Sequence, residues 1–214
     1  MVRHVYKLID GTRVPGVTTI LSRFKEADAL IYWAWKQGRD GKDFRETKDK
    51  AAEAGTLAHT AVEAHIRGDL SFHWPEVESE VTKKAKTAFG AFLEWSKQTN
   101  LEVTHTEVSL VSERHKFGGT LDAMLVNGKR ALADWKTSGS VYPDYLCQLG
   151  AYGLLWEENY PHMPITGGYH LIRFDKAFGD FTHRYWGELE TAKKAFLLMR
   201  ELYSLDDELK ARAR

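Results

Sequence analysis

The chain has 214 residues, 43% of them hydrophobic and 28% charged, which suits a single domain able to bury a core. Thirty basic residues balance thirty acidic ones, so sequence-blind coating of nucleic acid is disfavoured, although a local basic groove beside an acidic site remains compatible. One cysteine, Cys147, excludes an intrachain disulfide, a four-cysteine zinc site and a four-cysteine iron–sulfur cluster.

Residues 1–20 predict two short strands around Asp10-Gly11, with Thr18 or Thr19 as a helix cap. This stretch lacks a signal-peptide core and no apolar run approaches the ~20 residues of a membrane span. The expected location is therefore cytoplasmic. Residues 26–38 predict a helix stopped by Gly38. Charges then alternate over 39–50, with Arg39, Lys42, Arg45 and Lys48 at three-residue spacing. With Trp33 and Trp35 as stacking surfaces they would suit a nucleic-acid entry, though a solvated charged face is the simpler reading.

Residues 47–68 carry Ala54, Leu57, Ala58, Ala61, Val62 and His65 at helical spacing, ending at Gly68. His65 falls on the apolar face and is expected in the core. His59 and Glu63 lie side by side at the edge of that stripe. A second long helix is expected from about Pro75 to Gln98. Strands are expected at 102–111, 117–126, 130–136, 167–174 and 181–186, with helices at 142–159 and 188–210. The pattern predicts an α/β fold, a central mixed sheet of about four to six strands flanked by helices. It reads as one domain: a mainly helical part at 1–100, an α/β core at 101–187 and a closing helix at 188–214.

Within 130–136, side-chain alternation puts Leu132, Asp134 and Lys136 on one face and Ala131, Ala133 and Trp135 on the other. An Asp and a Lys ending an apolar strand are costly unless they meet charge or water. Asp122 interrupts the preceding strand in the same way. Two carboxylates on paired strands call for a cation between them, and a hard ion such as Mg²⁺ or Mn²⁺ fits. A two-residue Asn127-Gly128 turn would pair Asp122 with Ala133 and separate the two acids. A shared site therefore requires a longer loop or a bulge. Gln148 and Tyr152, four apart, flank an apolar helix face.

Taken in order, Gly55-x-x-x-His59, Glu107, Gly119-x-x-Asp122, Asp134-Trp135-Lys136-Thr137 and Gln148-x-x-x-Tyr152 resemble the RecB-type branch of the PD-(D/E)XK nuclease superfamily. The span Val14–Leu21 also resembles the start of small stand-alone phage-like members. The resemblance implies a restriction-endonuclease-like core and a Mg²⁺- or Mn²⁺-dependent deoxyribonuclease. The expected activity is exonucleolytic, on ends or single strands, in recombination, repair or phage DNA processing. It implies His59, Asp122, Asp134 and the Trp135 carbonyl as metal ligands, and Lys136, Asp134, Asp122 and Glu107 as the catalytic group. Gln148, Tyr152, Thr137 and Ser138 would contact nucleic acid. No iron–sulfur cluster is expected. With no P-loop in the sequence, any helicase, recombinase or single-strand-binding partner would be a separate protein. A structure-specific endonuclease on the same core, or an inactive DNA-binding or assembly protein, are the alternatives.

Overall fold

A computed structural model describes residues 4–25, 28–99, 102–126 and 128–213. The chain opens with a small hairpin, β1 (Tyr6–Lys7) and β2 (Arg13–Val14), followed by α1 (Val17–Arg23), α2 (Asp28–Arg39), α3 (Phe44–Arg67) and α4 (Glu80–Gln98). Strands β3 (Glu102–Ser112), β4 (Phe117–Val126) and β5 (Arg130–Lys136) come next, then α5 (Pro143–Asn159), β6 (Tyr169–Phe174), β7 (Phe181–Trp186) and α6 (Glu190–Arg212). The five long strands form one sheet in the order β3-β4-β5-β6-β7. Only β5 and β6 are parallel, joined through α5; the other pairs are antiparallel. The mixed sheet flanked by helices is the architecture expected from the pattern.

Alternation along the strands sorts the apolar residues into two cores. Leu121, Leu132 and Leu171 pack with α1, α5 and α6. Ala131, Ala133, Trp135, Ile172 and Phe174 pack with α3 and α4. The expected partition of β5 is thus observed. On the second face Phe92, Trp95, Trp135 and Phe174 touch edge to face or tilted, with centroids 5.3–6.4 Å apart, a geometry favoured by the ring quadrupoles.

Several boundaries differ from expectation. Gly16, not Thr18 or Thr19, is the N-cap of α1. Residues 26 and 27 lie outside the described part, and the next helix runs past Gly38 to Arg39. Helix α3 starts at Phe44 because the Asp43 carboxylate accepts from the Arg45 and Glu46 amides. Helix α4 starts at Glu80, behind a Ser79 cap, and not at Pro75. His65 is exposed at the rim of the core, edge-on to Phe89 and Phe92, and not inside it.

The β1–β2 hairpin is tied to the sheet by Tyr6. Its ring lies over Gly118, where an added Cβ would fall within it, and its hydroxyl bonds Thr120 Oγ1 at 3.0 Å. Gly118→Ala is expected to displace Tyr6 and cost about 1–3 kcal/mol, read as a lower urea midpoint, with faster proteolysis near the N-terminus.

A second connection crosses the far edge of the sheet. The Trp95 indole N–H donates to His183 Nδ1 at 3.2 Å, and His183 Nε2 lies 2.8 Å from His170 Nδ1. Because an indole only donates, His183 must carry its proton on Nε2 and give it to His170 Nδ1. His170 Nε2 then points at the Gly167 carbonyl, 3.3 Å away. Both rings are held neutral: burial lowers each pKa, and for His170 the neighbouring His183 adds to it. A depressed imidazole pKa makes the unfolded chain the better proton acceptor. Stability is therefore expected to fall as pH drops below ~6.5. His170→Gln, which keeps an acceptor for His183, should flatten part of that slope in melting curves taken across pH.

Candidate active site

Pairing between β4 and β5 runs from Val126–Arg130 to Ala123–Ala133 and stops there. Three residues separate Val126 from Arg130, so the register places Asp122 level with Asp134, as the shared-site argument required. Asn127 lies outside the described residues; Gly128 takes the left-handed conformation, φ +67°, typical of such a loop. Where the strands part, the Asp122 carboxylate enters the gap and accepts from the Trp135 amide at 2.8 Å.

The side-chain phase of β4 changes at the same place. Phe117 and Leu121 face α5, whereas Ala123 and Leu125 face α4. Alternation thus slips between Leu121 and Ala123. On the neighbouring strand Glu107 has φ +54°, a conformation rarely adopted by a residue with a long side chain. The Val108–Leu121 and Thr106–Ala123 pairs flank it, with no Glu107–Asp122 pair between them. Both strands therefore kink together, and each kink carries a carboxylate.

Asp134 is fully buried. Lys136 Nζ approaches its Oδ2 to 2.5 Å as an ion pair, but off hydrogen-bond alignment. Neither carboxylate oxygen has a hydrogen-bond partner among the described residues. A buried, unsatisfied carboxylate is expensive. Burial raises the Asp134 pKa to about 7 against the pull of Lys136, with Asp122 repulsion adding to the rise. Burial raises Asp122 as well. For Lys136 burial works against the charge, yet the two aspartates outweigh it and the pKa goes up. Its ammonium also lies over the Tyr145 ring, 4.9 Å from the centroid.

Helix α3 delivers the remaining groups. His59 feels Lys136, Asp134 and Glu63, and its pKa is pushed down to about 4, by burial first and then by Lys136. The imidazole is neutral and has a lone pair to give. Glu107 is raised to about 7 by burial, then by Asp122 and Glu63. Glu63 is held by Arg67 at 2.7 Å, and Arg67 also donates to Thr106 Oγ1 at 3.0 Å, fixing α3 to the kinked strand. His59, Glu63 and Glu107 line a cleft of about 700 Å³, whose opposite wall includes Tyr6, Arg13 and Thr19. The backbone of α3 comes close to the loop after β5: a Cβ on Gly55 would lie 2.9 Å from Thr137 Oγ1.

The residues named from sequence are therefore largely gathered. His59, Glu107, Asp122, Asp134 and Lys136 are electrostatic neighbours in one acidic centre. Among the described residues, however, no three His, Cys, Asp or Glu side chains form a ready-made metal cage; the Lys136 ammonium stands against Asp134 instead. Tyr152 is buried, accepts from Gln148 Nε2 at 2.8 Å, and has its pKa raised by burial and then by Asp134 and Asp122. It lies beneath the carboxylates, too deep to touch a nucleic-acid backbone itself. Ser138 Oγ donates to the Ser140 carbonyl within its own turn. Glu63, Tyr6 and Tyr145 were given no role at the site from the sequence. Glu63 was legible as the four-residue neighbour of His59, whereas nothing local marks Tyr6, which reaches the site through the hairpin.

No family model and no curated protein matches the chain. Among solved structures it is similar to a protein of Eubacterium rectale provisionally named an exonuclease (13% identity, TM-score 0.48). That match covers 70% of this chain and 64% of that one. It is also similar to an alkaline exonuclease of Laribacter hongkongensis, at 16% identity and TM-score 0.39, over 64% of this chain and 77% of that one. A complex of the Laribacter protein with dAMP matches at 16% and 0.39, over 76% and 96%. The chain thus spans under two thirds of the length of the Eubacterium protein, and likenesses of this level leave function to be argued from the site. No helix among the described residues is long and apolar enough to cross a membrane.

Proposed function

We propose that this chain is a divalent-metal-dependent deoxyribonuclease of the PD-(D/E)XK type, hydrolysing phosphodiester bonds at DNA ends or in single strands. The observation that carries the reading is the Asp134 carboxylate, fully buried and without a hydrogen bond. It lies level with Asp122 where β4 and β5 part, and beside Lys136. The Lys136 ammonium balances one of the two buried carboxylates, Asp134 and Asp122, and a further cation would balance the other. Oxygen donors of this kind, with neutral His59 at hand, suit Mg²⁺ or Mn²⁺. Asp122, Asp134, His59 and the Trp135 carbonyl would hold the ion, which when bound supplies a more acidic water and positive charge beside the phosphate.

The chain's own groups then have distinct tasks. Lys136 provides a fixed cation for charge developing on the phosphoryl oxygens. Glu107, titrating near neutrality, is matched to moving a proton at the cleft side of the centre. Tyr152, braced by Gln148, keeps a buried hydroxyl near the carboxylates. Thr137 and Ser138 form the lip, where backbone phosphate would pass. The test is incubation of end-labelled linear and closed circular DNA, single- and double-stranded, with Mg²⁺, Mn²⁺ or chelator. Metal-dependent shortening of linear substrate is expected. Cleavage of closed circles instead would assign an endonuclease, and no cleavage with either ion would overturn the proposal.

A further inference from the structure

Helix α2 carries an exposed aromatic surface that the reaction centre does not use. Tyr32 is 65% exposed and Trp35 56%, beside exposed Leu30 and Ile31. Trp33, by contrast, turns inward against Phe44, 6.5 Å away. Tyr32 and Trp35 lie 5.8 Å apart, and the Arg39 guanidinium stands 4.9 Å over the Trp35 ring. Spacings of three and four put the three groups on one helix face. Exposed rings paired on one helix face suit a contact surface. The surrounding charge selects its occupant. Lys36, Lys42, Arg45 and Lys48 have no ion pair among the described residues. Of the acids between them, Asp43 caps α3, Glu46 holds Lys50 and Asp40 lies beside Arg39. Just before α2, Lys25 pairs with Asp144 and lies over Tyr142. Tyr142 in turn meets Tyr145, under the Lys136 ammonium. Rings and cations thus extend from Lys136 as far as Lys25.

We propose that Tyr32, Trp35 and Arg39 form a stacking platform for single-stranded nucleic acid. This rests on the nuclease reading and adds a site to it. Unpaired bases expose the π-faces that Tyr and Trp stack on, while their phosphates meet the free cations; a duplex offers only the phosphates. Anisotropy of labelled oligothymidylates in chelator tests this, with strands of about 20 and about four nucleotides, since single-strand sites span roughly 4–16 nucleotides. The parent is expected to bind the long strand far more tightly than the short one. Tyr32→Ala/Trp35→Ala should weaken the long strand about tenfold or more and close most of that gap. Trp35→Phe, keeping a ring, should retain most of it; circular dichroism checks that each variant folds. Unchanged long-strand affinity in the double variant overturns the proposal. So does a change in sedimentation mass with DNA affinity unaltered, which would make the patch a protein interface. Failure of the parent to cleave DNA sinks the nuclease reading separately, because the stacking measurement needs no hydrolysis.

Discussion

Asp134→Asn is expected to lose hydrolysis by about 10²–10³-fold or more, and to melt higher than the parent above pH ~7 in chelator. The two effects have one origin. The folded carboxyl titrates at about 7, against ~3.9 in an unfolded chain. The folded state is then the better proton acceptor, so its stability is full below pH ~4 and declines as pH rises through ~7. Above that range the ionised, fully buried Asp134 costs on the order of a few kcal/mol. Asparagine keeps the shape and never ionises. Melting curves at about pH 4 and about pH 8 should show the variant's advantage growing towards the higher value. Mn²⁺ should raise the parent's melting temperature at pH ~8 by offsetting the same charge, and raise the variant's far less. Parallel pH profiles for the two proteins would mean that Asp134 is an ordinary structural acid.

Lys136→Met is expected to shift stability the other way and also to abolish activity. Its ammonium is the cation in contact with Asp134 and is felt by Asp122. Removing it leaves two buried carboxylates facing each other, a change that costs about 3–5 kcal/mol when one partner of a buried pair is lost. Methionine keeps much of the apolar stem against Tyr145. The rate should fall about 10²–10⁴-fold, the range for losing a positioned proton-transfer or charge-stabilising group. Divalent metal separates the two roles: Mn²⁺ should recover much of the melting temperature, by neutralising the carboxylates, but not the rate. Recovery of both would reduce Lys136 to a charge balance.

The opposite stability signs expected at Asp134 and Lys136 distinguish a poised reaction centre from a surface ion pair. A surface pair would lose about 0–1 kcal/mol whichever partner was removed. The centre has more buried acid than base around it: Asp122, Asp134 and Glu107 are all raised, with Lys136 the cation among them. Preorganised charge of this kind costs folding energy and is useful where a cation or a phosphate completes the balance.

Periodicity alone determined much of this protein. The faces of β5, the α3 stripe ending at Gly68 and the order of strands and helices follow from side-chain spacing, which is local. Asp122, Asp134 and Lys136 were also legible, because a charge ending an apolar strand announces a cost that something must offset; His59 and Glu107 stood out only through the order of motifs. Helix starts were less legible: Asp43 and Ser79 begin α3 and α4 through side-chain caps that outrank the propensity of neighbouring residues.

Tertiary structure decided how the groups meet. The phase slip at Asp122, the left-handed Glu107 and the parting of β4 from β5 arise between strands, and no single strand's pattern contains them. The same holds for Tyr6 over Gly118 and for Tyr152 beneath the carboxylates, whose burial no spacing along α5 could give. A sequence states which side chains need partners. Which partners they find depends on contacts between distant segments, and at this centre those contacts leave Asp134 without a hydrogen bond.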